Sequence, residues 1–226
     1  EQSGASEQLL SKFAFALNYL SVDPEELADA HRAYRDQPRR PVANPAATDP
    51  NPDRPLRIGI MSGDLREHSV GAWYRDLVQM LVENGRFETV LFTEGEVAET
   101  LKLAAETYGR HVVLEASISA ARAQIESQRL DMLIYTDVAL SRPLYCLAFS
   151  RLAPLQALLV GHPCTSGVPT MDFFLSNVFQ DSEHAQDHYS EQLVRLPRIP
   201  VFVRRTPPPD KRLSRADLGL AKDRRY

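Results

Sequence analysis

The chain has 226 residues, a formal net charge of −4 and 43% hydrophobic residues, the composition of an ordinary soluble globular protein. Weak acidity excludes nucleic acid or a membrane surface as the main partner, since both call for clustered positive charge, and no apolar run approaches the ~20 residues that cross a bilayer. Two cysteines without CxxC spacing, Cys146 and Cys164, point to reduced thiols and a cytoplasmic location.

The first residues, EQSGASEQ, have neither a basic start nor an apolar core, so they do not read as a signal peptide. Because the chain starts at Glu1 and not Met, a processed or trimmed piece is expected. Residues 6–20 carry apolar side chains at helical spacing. The next stretch, VDPEELADAHRAYRD, has Asp23 to cap, Pro24 for the first helical position and Glu26 for a capping box. Residues 1–37 are therefore expected to form a short helical segment. Six prolines between Pro38 and Pro55 forbid regular structure and mark 38–55 as a semi-rigid linker.

From Leu56 the pattern changes. Short apolar runs alternate with helical periods: RIGIMSG (57–63), TVLFT (89–93), HVVLEA (111–116), DMLIYTD (131–137), LQALLVGHP (155–163) and MDFFLSN (171–177) read as strands. Between them, Val70, Trp73, Leu77 and Leu81 mark one helix, and residues 96–109 a second. A third is capped at Ser117, and a fourth has a proline in its first turn in LSRPLYCLAFSRL. Strand–helix alternation with short loops predicts an α/β, Rossmann-like, doubly wound and mostly parallel sheet over 56–203. SEHAQDHYSEQ is expected to be a short helix and LVRLP a short extended segment, with 204–226 as an exit linker.

In an open parallel sheet, ligands bind outside the carboxyl ends of the strands. That rule selects SGDLREHSVG (62–71), YTDVALS (135–141) and GHPCTSG (161–167). The first holds Asp64, His68 and Ser69 ahead of a helix N-terminus, whose N–H groups suit an anion. His68 either handles protons near neutral pH or, with Ser69, caps the helix. No GxGxxG is present, so a nicotinamide or flavin reading lacks its fingerprint. Cys164 lacks the convergent ligands of a zinc site and reads as a small filler in a Gly/Thr/Ser loop, though a thiol nucleophile is neither shown nor excluded. His184 and His188, at i, i+4 in a polar segment, read as solvent-facing, and His31 as structural.

LRIGIMSGDLREHSVG, RLAPLQALLVGHPCTSGVPTMDFFLSN and HYSEQLVRLP, in that order and spacing, resemble the O-linked N-acetylglucosamine transferase family (glycosyltransferase family 41). That family includes the plant SPINDLY proteins and bacterial N-glycosyltransferases. FALNYLSVDPEELADAHRAY resembles the helical region ahead of its catalytic domain. The resemblance implies a GT-B architecture of two Rossmann-like lobes, with this chain supplying the N-terminal lobe. It also implies inverting, metal-independent sugar transfer from a nucleotide sugar, UDP-linked by expectation, to a protein acceptor, without a cofactor. On it, His68 and Asp64 are the catalytic candidates. Ser69 and Val70 approach the donor, as do Gly161, His162 and Pro163, and Thr165 and Ser166 offer hydroxyls. DVALS stands where bacterial members carry Gly-His-Thr, and Gly-His-Pro after RLAPLQ looks nearer the bacterial N-glycosyltransferase branch. The chain ends where a second lobe is expected to begin. That lobe would be needed in cis or trans to stabilise the leaving diphosphate, so this piece alone is expected to be inactive, or to be a non-catalytic binding module.

Overall fold

A computed structural model describes residues 54–65, 69–94, 110–161, 164–199, 201, 213–215 and 217–220. The expected helices in 1–37 and 96–109, most of the proline-rich linker and much of the exit segment lie outside the described residues. So do His31, His68, His162 and Pro163.

The described chain runs β1 (Leu56–Ser62), α1 (Ser69–Glu83), β2 (Phe87–Thr93), β3 (Arg110–Val113), α2 (Ile118–Ser127) and β4 (Met132–Tyr135). After a 3-10 turn at Val138–Leu140 come α3 (Arg142–Ala148), β5 (Leu155–Leu159), β6 (Phe173–Asn177), a second 3-10 turn at Ala185–His188 and β7 (Gln192–Leu196). The seven strands form one sheet in the order β3-β2-β1-β4-β5-β6-β7, and every pairing is parallel. The direction of strand addition reverses between β1 and β4, which places a switch point at their carboxyl ends.

Two apolar clusters, one per face, hold the sheet between its helices. On one face Ile58, Ile60 and Leu91 pack with Leu65, Val70, Tyr74 and Val78. On the other, Met61, Phe92, Leu133 and Phe174 pack with Ala121 and Ile125 of α2 and Leu144, Leu147 and Ala148 of α3. This two-sided burial explains why the strands read as near-continuous apolar runs.

The core face of α1 differs from the one expected. Val70, Tyr74 and Val78 are buried, at i, i+4 and i+8, whereas Trp73 is 44% exposed. The stripe turns by one residue because a tyrosine and a valine fill the sheet side, with Leu77 and Leu81 flanking them. Three further differences concern connections and caps. The expected extended segment LVRLP falls in a seventh strand, Gln192–Leu196, paired with β6 along five positions. Among the described residues no helix links β5 to β6, so regular alternation ends at β5. Ser117 precedes α2 without a side-chain capping bond, its hydroxyl lying 3.0 Å from that of Ser119. Ser141 does cap α3, accepting from the Leu144 amide with Pro143 in the first turn.

Two aspartates at the start of strands staple the amino-terminal rim. Asp131, before β4, takes both guanidinium nitrogens of Arg54 at 2.7 Å and the Arg57 amide of β1 at 2.8 Å. Asp172, before β6, takes Arg151 at 2.5 and 3.0 Å and the Gln156 amide of β5 at 2.8 Å. In each case a carboxylate ties a neighbouring strand's amide to an arginine. No described helix is long and apolar enough to cross a membrane.

Candidate active site at the switch point

The three loops selected from the sequence meet at the carboxyl ends of β1, β4 and β5. The centre is the exit of β4. Asp137, 1% exposed, accepts from the Gly63 amide through both carboxylate oxygens, at 3.2 and 3.0 Å. It also accepts from the Thr136 hydroxyl at 2.9 Å. Burial pushes Asp137 up to about 6, against the pull of the Thr136, Ser62 and Gly63 donors and with the Asp64 charge adding to the rise. On the other side of the same exit lies Gly161, where a Cβ would overlap the Thr136 carbonyl oxygen. The Asp64 loop and the Gly161 loop therefore flank one backbone segment, Thr136–Asp137.

A second carboxylate joins from β2. Glu94 receives the Ser141 hydroxyl at 2.5 Å, and burial raises its pKa, with Asp64 adding to the rise. Tyr74 rises from α1 below this group, fully buried, and its hydroxyl has no hydrogen-bond partner among the described residues. Burial, then the Asp137 charge, pushes its pKa up. Asp64, partly buried, donates its amide to the Ser62 hydroxyl oxygen at 3.2 Å. Ser69, exposed, opens α1, and Val70 behind it is buried. The first turn of α1 carries no acidic residue.

The third loop is built inward. Thr165 and Ser166 are 6% and 2% exposed, and both hydroxyls donate to the buried carboxylate of Glu191, Thr165 at 2.7 Å. The Ser166 amide donates to it as well, at 2.8 Å. Gly167 follows at φ +61°, the left-handed region that a side chain would strain. The side chains expected to offer hydroxyls to a sugar thus point into the protein. Among the described residues of this loop, Gly161 lies beside an open pocket of about 430 Å³, lined also by Trp73, Val160, Asn177, Gln180, Ile199 and Val201. Cys164 sits half-buried in the loop, its thiol pKa raised by burial. His184 and His188 are exposed, and His111 lies 2.9 Å from the Thr93 hydroxyl within the sheet.

Asp137, Glu94, Tyr74 and Glu191 were not singled out from the sequence. The position of Asp137 at a strand's carboxyl end was a usable signal. Glu191, twenty-five residues beyond the loop it holds, had none.

No family model matches the chain. It is 27% identical over 218 residues to a probable UDP-N-acetylglucosamine–peptide N-acetylglucosaminyltransferase SPINDLY of Solanum lycopersicum, covering 86% of this chain and 22% of the relative. The protein of the same name from Hordeum vulgare is 27% identical over 217 residues, with 86% and 21% covered. Among solved structures, an O-GlcNAc transferase mutant of Thermobaculum terrenum superposes with a TM-score of 0.70 at 25% identity. That match covers 90% of this chain and 40% of the other. The chain is thus similar in sequence to SPINDLY proteins and in fold to an O-GlcNAc transferase. Its sheet has the fold of the O-GlcNAc transferase it superposes on. It spans about a fifth of the length of the SPINDLY relatives it matches.

Proposed function

We propose that this chain is the acceptor-side lobe of a nucleotide-sugar-dependent protein glycosyltransferase, with its donor crevice at the β1, β4 and β5 exits. The observation that carries this reading is the meeting of the Asp64 and Gly161 loops on either side of Thr136–Asp137, in a chain whose relatives are named as peptide N-acetylglucosaminyltransferases. The N-terminus of α1, free of carboxylates in its first turn, suits a phosphate-bearing leaving group. His68 positions the acceptor and Asp64 supports it, while Ser69 and Val70 set the loop against the donor. Gly161 to Pro163 present backbone to the sugar, and Thr165 and Ser166 act through the loop's shape.

In the reaction, the acceptor oxygen or nitrogen bonds to the anomeric carbon as the bond from that carbon to the nucleoside diphosphate breaks. The nucleophile's proton passes to a base in the crevice, and the configuration inverts. No metal enters the step. The remaining stabilisation of the diphosphate falls to a second lobe, in cis or trans. The donor is UDP-linked N-acetylglucosamine, glucose or a fucose-type sugar, and the acceptor a Ser/Thr or Asn side chain.

A second reading, a binding module without transfer, draws on the DVALS loop, because Asp137 is buried under Gly63 and offers nothing to the crevice. The deciding experiment gives the full-length parent several nucleotide sugars and a peptide panel. Transfer that falls by roughly a hundredfold in His68→Ala supports the first reading. Transfer unchanged in His68→Ala removes that residue from the site, and a parent that binds peptide but transfers nothing supports the module.

A further inference from the structure

Glu191 lies outside every role assigned above, yet it is one of the most buried charged side chains described, at 2% exposure. It precedes β7 and reaches across to the loop after β5. Four donors converge on its two oxygens: the Thr165 hydroxyl, the Ser166 amide, the Ser166 hydroxyl and the Ser190 hydroxyl, the last at 3.2 Å. The two loop hydroxyls are in turn accepting. Thr165 Oγ1 takes the amides of Gly167 at 3.3 Å and Ser190 at 3.1 Å, and Ser166 Oγ takes the Val168 amide at 3.1 Å. The Ser166 carbonyl is held by the Tyr145 hydroxyl at 3.3 Å. Both loop hydroxyls are thus engaged inside the protein, and the carboxylate is the hub.

The chemistry of the hub is specific. A carboxylate is acceptor-only, which matches four converging donors. An amide of the same shape would turn an NH₂ toward hydroxyls whose lone pairs already receive backbone amides. We propose that Glu191 is a positioning residue for sugar transfer: it clamps the Gly161–Gly167 loop from beneath, so that the loop presents backbone, and not its two hydroxyls, to the donor. This rests on the reading of that loop as the donor-facing wall. It carries a consequence that the motif alone would not suggest, namely that Thr165, Ser166 and Glu191 form one functional unit and not three independent contacts.

The test has two arms. Hydrogen exchange on the full chain compares wild type with Glu191→Gln and with the milder Glu191→Asp. The clamp predicts that the Ser166 and Val168 amides exchange at least about tenfold faster in Glu191→Gln while the Ala157–Leu159 amides of β5 keep their protection. Equal acceleration of both sets, or no change at Ser166, overturns the clamp. The second arm is a double-mutant cycle on the full-length parent, with Ser166→Ala, Glu191→Gln and the pair. Donor KM rises by roughly tenfold or more in Glu191→Gln, kcat falls less, and the double variant matches Glu191→Gln alone. Multiplying effects would mean that Ser166 meets the sugar by itself, and would overturn the proposal. A parent that transfers no sugar fails the proposed function, and the exchange arm still judges the clamp.

Discussion

The amide of Gly63 donates to both carboxylate oxygens of Asp137, at 3.2 and 3.0 Å, and so ties the β1 loop to the β4 exit. The tie has a pH dependence that can be signed. Burial lifts the folded pKa of Asp137 to about 6, above the usual unfolded value of about 3.9. A group raised in the folded state contributes stability that is present in full below the unfolded pKa and lost as pH rises through the folded one. Between about pH 5 and about pH 7.5 that loss amounts to roughly 1.4 kcal/mol. Urea midpoints should therefore show wild type gaining that much on acidification relative to Asp137→Asn, which cannot titrate. A difference between the two proteins that stays flat across the range would show Asp137 to be ionised throughout.

Much of this arrangement was legible in the sequence, and the part that was not has a physical cause. Apolar runs predicted six strands, because strands buried on both faces read as continuous hydrophobics. LVRLP reads only as extended: the edge strand Gln192–Leu196 has Gln192 exposed and the rest half-buried, so no apolar run marks it. The three loops followed from the carboxyl-end rule. Their wiring did not, because Asp137 meets Gly63 from 74 residues away and Glu191 meets Ser166 from 25. Local patterns encode periodicity and not partners. The Thr165 and Ser166 hydroxyls show the consequence, since a Ser/Thr loop at a crevice looks the same whether its hydroxyls face the ligand or a buried carboxylate.

Gly161 provides a sharper steric test than any side chain nearby. A Cβ there would overlap the Thr136 carbonyl oxygen and come within 2.9 Å of the Asp137 Cα. These are backbone atoms of the neighbouring strand exit and cannot swing aside. Gly161→Ala should cost about 3 kcal/mol in chemical denaturation. Gly167→Ala, strained by its φ of +61°, should cost nearer about 1 kcal/mol. If Gly161→Ala proves the milder of the two, the close approach of β5 and β4 is looser than described.

Asp131 responds to acid in the opposite sense from Asp137. The Arg54 hydrogen bonds, with the Arg57 amide, hold its carboxyl below the usual range. A depressed acid contributes stability present above the unfolded pKa and lost as pH falls through the folded one. Asp131→Asn should lower stability by about 2 kcal/mol near neutral pH, as charge-assisted bonds to a part-buried arginine are lost. That deficit should shrink as pH drops below about 4. A deficit that persists unchanged in acid would mean that Asp131 acts through packing and not through charge.

Cys164 lies half-buried in the loop beside the site. Burial pushes its thiol pKa up, so less thiolate forms near neutral pH than on an exposed cysteine, and thiolate is the reactive form. A nucleophilic or redox cysteine needs the reverse shift. In a Cys146→Ala background, alkylation of folded Cys164 by iodoacetamide should run at least about threefold slower than alkylation of the urea-unfolded chain. Cys164→Ala in the full-length parent should leave sugar transfer within about twofold, because a small filler is exchanged for another of similar size. Rapid alkylation of the folded protein together with loss of transfer in Cys164→Ala would return the thiol to the list of reacting groups.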